Sequence, residues 1–147
     1  MIQRIQTVFL FLAAACAFGL FGLPFATSEA QIANSTNFSD SIYNLNDHVA
    51  LLILFAAAGL LSLVSIFLFN NRKTQLLVGR FSIIANVIGL ILAVVLFMND
   101  QGNILDATKI EDGIGAYLPF LFLVFAILAQ RYITKDEKLV SSMDRLR

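Results

Sequence analysis

The fold class this sequence predicts is an all-α integral membrane bundle. It has four transmembrane helices, cytoplasmic N and C termini, and a short amphipathic C-terminal tail helix. Three observations predict it. The 147 residues are 59% hydrophobic and 14% charged, with a mean hydropathy of +0.81, whereas a soluble domain carries about 45–50% apolar and about 25% charged residues. Four apolar segments each approach or exceed the roughly 20 residues that a helix needs to cross the hydrocarbon core. Nine of the ten Lys and Arg residues lie on one side of those segments.

The length suits a single membrane domain, residues 1–147. Spans are expected at about 5–26, 48–69, 76–98 and 114–133. Outer loops then cover 27–47 and 99–113, and a cytoplasmic tail covers 134–147. Arg4 followed by apolar residues resembles a secretory leader, but the run continues well past Cys16, beyond a leader's apolar region of about 7–15 residues. A retained first helix is therefore expected, with Cys16 a small packing residue. The second segment is uncharged and closed by Asn70 and Asn71. The third is interrupted by Arg80, Ser82 and Asn86 and closed by Asn99, Asp100 and Gly102. Asp112 and Gly113 precede the fourth, where an acid suits the positive end of the helix dipole. Pro119 near the start of that helix is tolerated, and Pro24 falls at the far end of the first.

Charge sets the orientation. Arg4, Arg72, Lys73, Arg80, Arg131, Lys135, Lys138, Arg145 and Arg147 share one side, and Lys109 is the only base on the other. Lys and Arg in short loops mark the cytoplasmic face, so both termini are expected inside. Trp is absent, leaving Tyr43, Tyr117 and Tyr132 as interfacial anchors.

The same inventory narrows the chemistry. A formal net charge of zero gives no field for nucleic acid, and a single cysteine permits no intrachain disulfide. His48 is the only histidine; beside Asp47, an N-cap candidate for the second span, it reads as a helix-start residue. One histidine with scattered acids is too little for zinc. No P-loop, dinucleotide fingerprint or nucleophile–histidine constellation is present. No enzyme activity, metal or cofactor is expected.

Small residues Ala85, Gly89 and Ala93 recur at four-residue spacing beside Ser82 and Asn86. This pattern lets helices approach closely, with Asn hydrogen-bonding across the contact. Arg80, about one turn inside the third span, is expected to reach back to the headgroups. The tail places Leu139, Val140, Met143 and Leu146 on one side at helical spacing, with Lys135, Lys138 and Arg145 elsewhere. That is an amphipathic helix suited to the inner leaflet or to a partner subunit.

Three stretches together resemble a known family: residues 1–7 (MIQRIQT), 71–76 (NRKTQL), and the tail 129–140 (AQRYITKDEKLV) ending in DRLR at 144–147. They are similar to a small inner-membrane family of Bacteroidota-type bacteria, a domain of unknown function, over the whole chain. The resemblance implies a multi-pass protein of the bacterial inner membrane with no assigned activity. All three stretches fall on the expected cytoplasmic face, which makes Arg72, Lys73, Gln75, Arg80, Arg131, Asp136, Glu137, Asp144 and Arg145 candidate docking residues. Asn34-Ser35-Thr36 and Asn37-Phe38-Ser39 satisfy the N-glycosylation pattern, which carries little meaning in a bacterium. Asp40-Ser41-Ile42 resembles the Asp-Ser/Thr-aliphatic O-glycosylation motif of such bacteria, which makes Ser41 a candidate.

The expected role is a non-catalytic accessory or scaffold subunit of a larger inner-membrane assembly, surrounded by lipid and other membrane subunits. The alternative is a self-associating channel or transporter, a homo-oligomer in which Asn86, Ser62 and Ser65 line a polar path. No residue in the spans supplies an intramembrane carboxylate or histidine of the kind coupled transport uses.

Overall fold

The computed structural model describes residues 2–29, 35, 37–104 and 109–144. Four helices form the body: α1 (Ile2–Gly19), α2 (Val49–Phe67), α3 (Arg72–Ile104) and α4 (Leu118–Asp144). They pack as a ring in which α1 touches α2 and α4, and α3 touches the same two. Three of the helices contain segments long and apolar enough to cross a membrane: Val49–Phe67, Arg72–Asp100 and Ile114–Val140. The apolar part of α1, Ile5–Gly19, is shorter.

Helices are the physical answer to runs this apolar, because a backbone in lipid must satisfy its own polar groups. Their ends depart most from the expected boundaries in three places. α1 stops at Gly19 and does not reach residue 26. Phe21 and Gly22 donate back to the carbonyls of Phe18 and Gly19 in tight turns, and Pro24, which has no N–H and disfavours helix before it, prevents continuation. α3 runs on to Ile104, so its 33 residues rise about 50 Å against a hydrocarbon core of roughly 30 Å. α4 continues unbroken through the expected tail to Asp144, so that segment prolongs the fourth helix.

The two loops expected to lie outside also contain structure that the apolar pattern did not announce. β1 (Ala26–Ser28) pairs antiparallel with β2 (Ile42–Tyr43) on one edge and β3 (Ile110–Asp112) on the other. The register sets Ala26 opposite both Tyr43 and Asp112, and Thr27 opposite Ile42 and Glu111. Short 3-10 turns, Leu45–Asp47 and Ile114–Tyr117, lead from β2 and β3 into α2 and α4. The sheet caps one end of the bundle, and the α2–α3 loop with the last turns of α4 forms the other, basic end.

The interior changes along its length. Beneath the sheet it is aromatic, with Phe25, Phe38, Tyr43 and Phe55 buried together. The middle is built from Ala13, Ala17, Ala58 and Ala126 around Phe122, and the basic end from Leu10, Leu76, Ala129 and Ile133. Large side chains instead point outward, among them Phe11, Ile53, Ile91 and Val124, and Phe67 at 77% exposed. A soluble monomer rarely exposes contiguous apolar surface of this kind, whereas lipid covers it without cost.

Candidate functional site

The polar residues of the spans are spent inside the bundle. The Ser82 hydroxyl donates to the Ala58 carbonyl at 2.9 Å; having one proton, it accepts from Ser62 Oγ at 2.7 Å. One turn on, Asn86 Nδ2 donates to the Pro119 carbonyl at 3.1 Å, linking α3 to the first turn of α4. Among the described residues, the buried Asn86 Oδ1 has no donor. Ala85 packs against the alanine-rich middle, and Ala93 sits in the aromatic cluster. A Cβ on Gly89 would meet the Phe55 ring at 3.1 Å. The small-residue face of α3 is therefore occupied by α2, α4 and the cap of the same chain. Ser62 and Ser65, named with Asn86 for a polar path, are likewise buried and hydrogen-bonded within the chain.

At the basic end the candidate residues separate into two sets. One set closes the bundle. Gln75 is buried; its Nε2 donates to the Ser65 carbonyl at 2.9 Å, and Ser65 Oγ donates to the Gln75 carbonyl at 3.3 Å, pinning α2 to α3 across the short loop. Asn71 Oδ1 accepts from the Thr74 N–H at 3.3 Å, capping α3. Arg72 Nη2 lies 2.9 Å from Asp136 Oδ2, with both side chains largely buried. Gln6, from α1, donates to the Tyr132 carbonyl at 3.2 Å and reaches the same Asp136 oxygen at 3.5 Å. Asp136 thus gathers α1, α4 and the start of α3. Among the described residues, the buried Arg72 Nη1 has no acceptor.

The second set is exposed. Lys73, Arg80 and Arg131 face outward, and Glu137 is half-buried. Lys73 and Glu137 flank a depression of about 510 Å³ beside Arg72. Arg80 and Arg131 lie on a different side, along a groove of about 450 Å³ between α3 and α4 that also takes in Lys135 and Lys138. Asp144 closes α4. Arg145 lies outside the described residues, as does Asn34 of the first N-glycosylation match.

The sheet end holds a polar cluster that the sequence reading did not single out. Asp100 is buried and sits on the part of α3 that overruns the expected span. Its Oδ2 accepts from Ser35 Oγ and from the Asn37 N–H at 3.0 Å, while Ser35 Oγ accepts from the Phe38 N–H at 2.9 Å. Asn37 Nδ2 donates to the Leu96 carbonyl at 3.1 Å, and Asn37 Oδ1 is 2.9 Å from His48 Nε2. His48, not Asp47, stands at the N-cap position of α2. Asp47 instead accepts from the Asn44 N–H at 2.6 Å. Burial, reinforced by Asp40, lifts the Asp47 carboxyl above its ordinary range against the opposing pull of that hydrogen bond and of His48. Tyr43 donates its hydroxyl to the Ala93 carbonyl at 3.0 Å, and burial followed by repulsion from Asp47 and Asp100 pushes its phenol well above the usual tyrosine range. Ser41 occupies a left-handed conformation with φ of 68°; its carbonyl accepts from the Ser28 N–H at 2.8 Å. Among the described residues, no three His, Cys, Asp or Glu side chains converge as metal ligands would.

No curated protein and no solved structure matches this chain. The family model described as a domain of unknown function, DUF4293, matches residues 2–146. This helical chain, with three segments able to cross a membrane, therefore belongs to the DUF4293 family.

Proposed function

We propose that this protein is a non-catalytic accessory or scaffold subunit of a larger assembly in the inner membrane of a Bacteroidota-type bacterium. In this reading the chain crosses the bilayer four times, with α1 as the fourth span and both termini in the cytoplasm. The 18 residues of α1 rise about 27 Å, close to the thickness of the hydrocarbon core, and its side chains pack into both the middle and the basic end of the bundle. The positive-inside rule places the basic end in the cytoplasm.

One observation carries the reading. The polar groups of the spans hold the chain to itself, while Lys73, Arg80 and Arg131 stay exposed on a rigid platform braced by Asp136. A platform presenting fixed charge suits recognition of another subunit's cytoplasmic surface, where charge complementarity sets partner choice and encounter rate. The prolonged α4 extends that surface with Glu137 and Lys138. Mild-detergent extraction from the native membrane, followed by native mass spectrometry, tests the reading. A stoichiometric hetero-complex supports it, and a lone monomer refutes it.

A self-associating channel is the second reading, and the buried Asn86 Oδ1, which has no donor among the described residues, favours it. Liposome flux that is lost in Asn86→Leu would support a channel; absence of flux in the wild type would exclude it.

A further inference from the structure

We infer that the groove between α3 and α4 at the basic end is a binding site for one anionic phospholipid. The lipid's phosphate would lie among Arg80, Arg131, Lys135 and Lys138, and the start of an acyl chain would rest on Ile83 and Ile127. These six residues, with Gln130 and Thr134, line the groove. The inference requires α3 and α4 to lie in a bilayer and does not depend on a partner subunit.

Charge is the first argument. All four bases are exposed, and no acid lines the groove. The neighbouring acids lie outside the groove: Asp136 pairs with Arg72, and Glu137 lines the separate depression beside Lys73. Among the described residues, the one ion pair is Arg72–Asp136, so none of the described acids pairs with the four groove cations. Four positive charges held together repel one another, and a phosphate-bearing ligand relieves that repulsion.

The depth profile identifies the ligand as a lipid. Ile83 follows Arg80 by one turn of α3, and Ile127 precedes Arg131 by one turn of α4, so both lie on the bundle side of the charges. A charged mouth above an apolar floor, opening sideways between two spans, matches an inner-leaflet lipid. Basic pockets of this kind between transmembrane helices bind anionic head groups. A soluble phosphate would use the cations and leave the isoleucines uncovered.

Gln130 explains why the groove is open here. Its Nε2 reaches across to the Leu76 carbonyl at 3.3 Å, and a Cβ on Gly79 would lie 1.9 Å from that nitrogen. Gly79 therefore admits a polar strut where a larger residue would pack, and the strut spans α3 and α4 just behind the bases.

The test uses the full chain, delipidated in mild detergent and titrated with phosphatidylglycerol, phosphatidylcholine or glycerol 3-phosphate under native mass spectrometry. Phosphatidylglycerol should form a one-to-one adduct that survives gentle activation; phosphatidylcholine and glycerol 3-phosphate should not. Neutralising one exposed base should weaken the adduct about fivefold, so Arg131→Gln with Lys135→Gln should weaken it about 25-fold. Lys109→Gln, at the sheet end, should leave it unchanged. Ile127→Trp fills the floor without altering charge and should weaken the phosphatidylglycerol adduct; thermal unfolding of each variant establishes that it is folded. Equal retention of phosphatidylcholine, displacement by glycerol 3-phosphate at equal concentration, or the same loss in Lys109→Gln would overturn the inference.

Discussion

The Arg72 guanidinium and the Asp136 carboxylate meet at 2.9 Å, joining residues 64 positions apart at the basic end of the bundle. Their side chains are 22% and 15% exposed, so water screens the pair only in part. Removing either partner leaves the other largely buried and unpaired, which costs about 1–3 kcal/mol. Arg72→Ala and Asp136→Ala should each destabilise the protein, and the double variant should lose less than the sum. Unfolding in mild detergent measures the cycle; strict additivity would show that the two charges do not interact.

Gly113 is required by close backbone approach. A Cβ there would lie 2.1 Å from the Pro24 carbonyl oxygen, while the Gly113 N–H donates to the Phe25 carbonyl at 2.9 Å. Backbone cannot swing away as a side-chain tip can. Gly113→Ala should therefore cost about 1–3 kcal/mol by overpacking. Gly22→Ala is the matched control, since nothing lies within 4 Å of its would-be Cβ. Equal melting temperatures for the two variants would rule out this junction.

Asp100 should hold the loop between β1 and β2 onto α3. Asp100→Ala removes the acceptor for Ser35 Oγ and the Asn37 N–H, leaving buried donors unpaired at a cost of about 1–3 kcal/mol. Hydrogen exchange should accelerate at residues 37 and 38 while the middle of α3 stays protected. Uniform acceleration along the chain would instead assign Asp100 to global stability.

Tyr43 sets an alkaline limit on stability. A phenol is neutral when protonated, and burial holds the Tyr43 proton above its ordinary value of 10.0 in the folded state. The unfolded chain releases that proton near the ordinary value, so the Tyr43 contribution is complete below it and falls as pH rises beyond it. Phenolate absorbance should show one tyrosine ionising only as helicity is lost, and that component should vanish in Tyr43→Phe. The same variant loses the bond to the Ala93 carbonyl, worth about 0.5–1.5 kcal/mol. A Tyr43 phenolate forming in the folded protein would contradict this account.

Much of the architecture was legible in the sequence because lipid imposes a coarse rule. Long apolar runs must be helical, so three of the expected spans coincide with helices able to cross a membrane, and the tail motifs pointed to a family of unknown function. The cap was not legible. Ala26–Ser28 and Ile42–Tyr43 are too short for alternation to register, and β1 joins strands from two loops far apart in sequence. The helix ends were misplaced for local reasons: Pro24 cuts α1 short, while Asp100 rewards the extension of α3 by binding the loop. Asn86 was recognisable as a polar residue within a span, but its partner, the Pro119 carbonyl, could not be. Gln75 is a docking candidate by its place in the 71–76 stretch, yet it is buried. Its burial follows from helical phase: it falls on the α2-facing side, opposite Ser65.

The proposal that the basic end docks another subunit is tested most directly by charge reversal at an exposed residue. Lys73→Glu leaves both the Arg72–Asp136 brace and the four bases of the α3–α4 groove intact, so the bundle should remain folded. Native mass spectrometry of protein extracted from its own membrane should show a stoichiometric hetero-complex for the wild type and its loss in the variant. A wild-type chain recovered alone, or a complex indifferent to the reversal, would contradict the docking role.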